Sequence, residues 1–152
     1  MFKKILCPVD FSEFTDEILE YAVSIAQKYN AELYLIHIIP NLNYFTPYES
    51  FFTPENLIVV EKNMETEVNK DFDAIIKKID IPVKKVIKTG AAFVEIIDYV
   101  RTESINLIIM GTHGRTGLEH ILIGSVAERV IRKAPCPVLT VRPKSRQSFK
   151  MP

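Results

Sequence analysis

Glycine is scarce in this 152-residue chain: there are five, and Gly111, Gly114, Gly117 and Gly124 all fall within one window of fourteen residues. Scarcity elsewhere makes that cluster the place where the backbone must turn tightly or be approached closely. Charge of one sign is also lacking. Nineteen Lys and Arg balance nineteen Asp and Glu, so nothing in the overall charge points to nucleic acid or an anionic membrane as a partner. No apolar run approaches the ~20 residues that span a bilayer, and the opening Met1-Phe2-Lys3-Lys4-Ile5-Leu6 lacks a long apolar signal core. The expectation is a soluble, cytoplasmic protein. Two cysteines, Cys7 and Cys136, stand beside prolines without CxxC spacing. They read as buried reduced thiols, not as a disulfide or a zinc site.

What the chain does contain is an alternation of short apolar runs and amphipathic stretches. Residues 3–9 read as a strand, and Asp10-Phe11-Ser12 leaves it. Ser12 stands as an N-cap before Phe14, Ile18, Ala22, Ile25, Ala26 and Tyr29, whose spacing is helical; Asn30 closes that helix. Residues 31–39 form a second strand with little room for a solvated face. Residues 40–54 are aromatic and proline-rich, with Tyr44, Phe45, Tyr48, Phe51 and Phe52; a lid, a partner surface and a flap over the core all fit this composition. A long helix follows from Glu55, with Leu57, Val60, Met64, Val68, Phe72, Ile75 and Ile79 as a core-facing stripe.

Residues 83–88 alternate apolar and basic side chains, as an edge strand does. A helix carrying Phe93, Ile96, Ile97 and Val100 comes next, and then the buried strand Ile105-Asn106-Leu107-Ile108-Ile109-Met110, stopped by the glycine stretch. Ser125 and Glu128 have capping-box spacing before another helix. Residues 136–141 form the last strand, with Pro137 suiting its edge or beginning. This order predicts one α/β domain over 1–141, a doubly wound five-stranded parallel sheet of Rossmann-like type in the order 3-2-1-4-5, with helices on both faces. Ligands in such sheets bind where the winding reverses, beyond the carboxyl ends of the strands, here between the first and fourth. Residues 142–152 are a basic tail, a solvated end or a contact for an acidic partner.

Two common phosphate machines are missing. No lysine follows a glycine as G-x-x-x-x-G-K-[ST] requires, and Pro8-Val9-Asp10 stands where a dinucleotide fold places G-x-G-x-x-G. A receiver domain lacks its acceptor aspartate at Ile87-Lys88-Thr89-Gly90, and a flavodoxin lacks its hydroxyl-rich loop after the first strand. What stands in the chain is Gly111, two residues, Gly114, nine residues, then Gly124-Ser125. With Pro8-Val9-Asp10-Phe11-Ser12, His37-Ile38, Met110-Gly111-Thr112-His113-Gly114 and Pro135-Cys136-Pro137-Val138, this resembles the ATP-binding branch of the universal stress protein family over nearly the whole chain.

The resemblance implies a site for ATP or another adenine nucleotide. Asp10 would take the ribose hydroxyls, although a plain helix-N-terminal charge is its other reading. The backbone of Ile38 would meet the adenine edge, with Pro8, Val9 and Met110 around the base. Gly111, Gly114 and Gly124 would admit the phosphates, and Ser125 with the amide of Val126 would hold their oxygens at a helix N-terminus; Ser125 as a simple cap is the alternative. Arg115 reaches a phosphate or points to solvent. His113 structures its loop or acts as a base. Mg2+ or Mn2+ would be held mainly by the phosphates, with no protein metal site. The resemblance also implies a homodimer through Val138–Val141 and an ATP-dependent regulatory role in stress response, read by an unidentified protein partner. No catalytic residue is assigned; slow ATP hydrolysis, with His113 or Asp10 positioning water, is the alternative.

Overall fold

The computed structural model describes residues 1–41, 53–112 and 123–142. Along these run β1 (Lys4–Pro8), α1 (Thr15–Tyr29), β2 (Glu32–Ile39), α2 (Pro54–Ile76), β3 (Val83–Thr89), α3 (Ala92–Thr102), β4 (Leu107–Gly111), α4 (Ser125–Lys133) and β5 (Val138–Val141). The strands form one sheet in the order β3-β2-β1-β4-β5, and every neighbouring pair is parallel. That is the predicted order, and the winding reverses between β1 and β4.

Strand side chains alternate between the two faces of a sheet, and here both parities are apolar. Ile5, Cys7, Leu33, Leu35, Leu107 and Ile109 join a core with α1 and α2, whereas Leu6, Tyr34, Ile36, Ile108 and Met110 join a second core with α3 and α4. The central strands are therefore continuous hydrophobic runs instead of alternating ones. β4 is latched to β1 by Asn106, whose Oδ1 accepts from the amides of Lys3 (2.9 Å) and Lys4 (3.0 Å). Its own N–H donates to the Lys4 carbonyl. β3 is half exposed, as its pattern predicts for an edge. Asn30 closes α1 in the left-handed conformation (φ 50°), its N–H bonded to the Ala26 and Gln27 carbonyls, in keeping with its sequence reading.

Three expectations need correction. Ser12 does not cap α1. The helix begins at Thr15 with Phe14 in the N-cap position and no side-chain cap, because the Asp10 carboxylate takes the Ser12 amide (3.0 Å) and the chain makes a separate turn first. The Ser12 hydroxyl is left buried without a hydrogen-bond partner. Ser125 and Glu128 form no capping box either. Gly124 is the N-cap, Ser125 is the first helical residue, and the Glu128 carboxylate pairs with Arg132 one turn on (3.1 Å).

The α2 stripe is only partly core. Val68, Phe72 and Ile75 are buried, and Met64 and Ile79 pack against them. Leu57 and Val60 are only partly covered, and Ile58 and Val59 are exposed. At 1.5 Å per residue the 23 residues of α2 span about 35 Å, against about 23 Å for the seven residues of β3. The first turns of the helix therefore overhang the carboxyl end of the sheet. The aromatic segment before α2 lies outside the described residues, apart from its margins.

Both cysteines are free; Cys7 is buried and Cys136 only partly so. Loss of solvent pushes the Cys7 thiol up to about 12, from 9.0. Below pH 9 both folded and unfolded chains keep this proton, so the group has no influence there. Between 9 and 12 the unfolded chain ionises first, and stability falls by about 1.4 kcal/mol per pH unit. A pH series of denaturant melts should show this extra alkaline slope in the wild type and not in Cys7→Val. In the same assay at neutral pH, Ser12→Ala should gain on the order of 1 kcal/mol, since it removes an unsatisfied buried hydroxyl; a comparable loss would restore Ser12 as the cap.

Candidate functional site

At the winding reversal the carboxyl ends of β1, β2 and β4 open into a cleft of about 390 Å³. β1 contributes Pro8 and the chain just beyond it, Val9 and Asp10. β2 contributes Ile36, His37 and Ile38, followed by Pro40. β4 contributes Met110 and Gly111, followed by Thr112, and the start of α4 closes the far side with Gly124, Ser125, Val126 and Ala127. Nine of the residues singled out from sequence line this one cleft: Pro8, Val9, Asp10, Ile38, Met110, Gly111, Gly124, Ser125 and Val126. His113, Gly114 and Arg115 lie outside the described residues.

The cleft has two chemically different ends. One is apolar, walled by Val9, Ile38, Met110 and, from α3, Ala92 and Ile96. Its polar content is backbone. The Ile36 carbonyl accepts from Val9 N–H (2.9 Å), so residue 36 addresses β1; the Ile39 carbonyl accepts from Gly90 N–H (2.9 Å), so residue 39 addresses the β3 side. Polar groups alternate sides along a strand, which turns both the N–H and the C=O of Ile38 toward the β1 side. β1 makes its last pair with β2 at Pro8, opposite Ile36. The donor and acceptor of Ile38 therefore face the cleft.

The other end is the start of a helix. Glu128 N–H is the first α4 amide to find a backbone carbonyl within its helix, that of Gly124 (3.0 Å). The amides of Ser125, Val126 and Ala127 thus stand at the positive end of the helix dipole, beside the cleft. The Ser125 hydroxyl is exposed, and no side-chain cap occupies it. This end is held in place by a stitch at the base of 113–122: Gly124 N–H donates to the Thr112 carbonyl (2.6 Å), and Thr112 N–H donates to Val141 (2.9 Å).

Asp10 also lines the cleft. Its Oδ1 accepts from Ser12 N–H (3.0 Å) and from the Thr15 hydroxyl (3.4 Å), which orients the carboxylate at the helix entrance. His37 donates from Nδ1 to the Val9 carbonyl at 2.7 Å, so the neutral ring carries its proton on Nδ1. Among the described residues no group of three or more His, Cys, Asp or Glu converges on a metal-binding geometry, and no helix is long and apolar enough to cross a membrane.

Several wall residues escape sequence reasoning. His37 lies inside a recognised dipeptide, yet only the structure shows that it ties β2 to the end of β1. Ala92 and Ile96 carry no local signal, since they read as ordinary residues of an amphipathic helix. Thr112 and Ala127 flank singled-out residues and join the wall through backbone placement alone.

Fold and cleft together define a doubly wound α/β domain with an anion-ready crevice at its switch point. The universal stress protein family profile matches residues 1–142, and the chain belongs to that family. Universal stress protein MJ0531 of Methanocaldococcus jannaschii is 33% identical over 97% of this chain and 86% of its own length. MJ0577 of the same organism is 35% identical over 95% and 98%. The solved structure of MJ0577, a study of structure-based assignment of biochemical function, superposes with a TM-score of 0.81 at 33% identity, covering 95% of this chain and 99% of that one. Two more distant universal stress proteins share the fold. One is a complex with cAMP (18% identity, 93% and 97% coverage, TM-score 0.63) and the other, from Archaeoglobus fulgidus, a complex with dAMP (22%, 91% and 97%, 0.57).

Proposed function

We propose that the cleft binds an adenine nucleotide, ATP in the first instance, and that the protein is a non-catalytic nucleotide-dependent regulator. The observation that carries this reading is the pairing of two unlike ends in one crevice. The Ile38 N–H and C=O project into an apolar slot, and the leading amides of α4 stand across from it. An adenine edge offers an acceptor at N1 beside a donor at N6, which matches a strand N–H beside a strand C=O. Guanine presents a donor at N1 and an acceptor at O6, the reverse order, so both of its contacts would be repulsive. Asp10, held from Ser12 and Thr15, is placed to accept from ribose hydroxyls between the two ends.

Phosphate oxygens at the start of α4 would meet backbone N–H groups, a positive dipole end and the Ser125 hydroxyl. Gly114, His113 and Arg115 are assigned to the same end on the resemblance. Mg2+ or Mn2+ would be held mainly by the phosphates themselves, which suits a wall on which Asp10 is the only carboxylate among the described residues. Asp10 serves two hydrogen bonds in its own turn, an arrangement suited to a fixed acceptor and not to a proton-shuttling base. A homodimer through β5 accompanies this reading: the strand is a sheet edge, and Leu139 on it is exposed.

Two measurements test the proposal. Freshly purified protein, heat-denatured, should release an adenine nucleotide. Calorimetric titration of stripped protein should then give ATP at least about tenfold tighter than GTP, the worth of one or two backbone hydrogen bonds. Absence of heat with ATP, or equal affinity for GTP, would remove the assignment of Ile38 to the base.

Ser125→Pro isolates the phosphate end. Gly124 has φ −67° and ψ 156°, the conformation that precedes proline comfortably, and proline is favoured at the first helical position. The variant should fold with a melting temperature within a few degrees of wild type while losing about tenfold or more in ATP affinity, because one amide and one hydroxyl disappear together. Undiminished affinity in the folded variant would place the phosphates elsewhere.

A further inference from the structure

Among the described residues Phe11 is the one aromatic residue whose backbone is left-handed, with φ 58°. A bulky side chain seldom holds that conformation unless its surroundings impose it. The surroundings here are two rings. The Phe11 ring lies against the His37 imidazole, with centroids 4.7 Å apart and planes tilted by 36°. It also packs perpendicular to the ring of Phe72 of α2, with centroids 5.2 Å apart and planes at 88°, and Phe72 is wholly buried in the first core. His37 is itself anchored through Nδ1 to the Val9 carbonyl. Phe11 lines no part of the cleft.

The geometry has a direct bearing on Asp10. The residue before it is fixed twice by β2, through Val9 N–H to the Ile36 carbonyl and through the Val9 carbonyl to His37. The residue after it is fixed by its contacts with the two rings. Two groups that hold Oδ1, the Ser12 amide and the Thr15 hydroxyl, come after Phe11 in the chain. They reach back to the carboxylate only because the chain reverses at Phe11. A relaxed, extended residue 11 would carry the Ser12 amide away from Oδ1.

We infer that Phe11, packed against His37 and Phe72, is a positioning residue for the nucleotide site: it sets the Asp10 carboxylate for the ribose hydroxyls and so governs discrimination for the sugar. This rests on the reading of Asp10 as the ribose ligand and adds a residue that touches no ligand. It also makes Phe72, in the helix that overhangs the cleft end of the sheet, part of the support of the site.

The test compares ATP with 2′,3′-dideoxy-ATP by calorimetry in wild type, Phe11→Gly and Phe11→Leu. Glycine accepts a positive φ freely but removes the ring; leucine keeps apolar volume against Phe72 without an aromatic face for His37, and serves if the glycine variant fails to fold. Wild type should prefer ATP by about tenfold or more, the worth of hydrogen bonds to a charged carboxylate. In the variants that preference should collapse toward unity through weaker ATP binding, with the affinity for the dideoxy nucleotide unchanged. An undiminished preference in a folded variant overturns the inference, as does an equal weakening of both nucleotides, which a purely structural role would give. A wild type that binds neither nucleotide, or binds them equally, instead overturns the reading of Asp10 on which the inference stands.

Discussion

The constraint on which the structure depends is the early end of its central strand. β1 is five residues long and pairs with β2 as far as Pro8, whereas β2 runs eight residues to Ile39. Beyond Pro8 only the Val9 amide continues the ladder, and the chain then turns away at Asp10. β2 is left with one residue, Ile38, whose backbone donor and acceptor have no strand to address. A cleft exists there because parallel strands on either side of a winding reversal send their connections to opposite faces of the sheet, so none of the described residues fills the space above β1.

The fold was largely legible because both parities of the central strands are apolar and the helical stripes between them are well spaced. Ile5 and Cys7 against Leu6, or Leu107 and Ile109 against Ile108 and Met110, state on their own that both faces are covered. The strand order then follows from the alternation and the position of the glycine cluster. Legibility failed at helix starts. Ser12 and Ser125 have the chemistry of caps, but Asp10 outcompetes the former for the turn, and Glu128 pairs with Arg132 instead of closing a box on the latter. Capping is a contest among several nearby acceptors, and residue type alone does not name the winner. The α2 stripe was over-read for a different reason: periodicity reports a face, not how far the neighbouring sheet extends beneath it.

The candidate site was legible where its chemistry sits at strand ends and glycines, and illegible where it depends on the path of the backbone. That the Ile38 amide and carbonyl face the cleft is a matter of register. It is settled by Val9 pairing with Ile36 and Gly90 with Ile39, which no side chain announces. Ala92 and Ile96 enter the wall because α3 crosses the sheet there; their periodicity in sequence serves the core equally well. Gly111 and Gly124 are different again. Their value lies in the stitch, Gly124 N–H to the Thr112 carbonyl twelve residues back, that brings the end of β4 to the start of α4.

The division of labour in the cleft also bears on the proposed role of nucleotide holder. Its polar contacts are fixed: backbone amides at the head of α4, a strand N–H and C=O, and a carboxylate tied into a turn. Donors aimed at charge already present on a ligand stabilise ground state and transition state alike, and uniform stabilisation of that kind favours occupancy over turnover. Accelerated hydrolysis would call for a group that improves its contact only as the bond breaks, or one free to take a proton from water. Among the described residues on the wall the titratable side chains are Asp10 and His37. The first is engaged by Ser12 and Thr15 and the second by the Val9 carbonyl. Each is thereby occupied in holding the shape of the site.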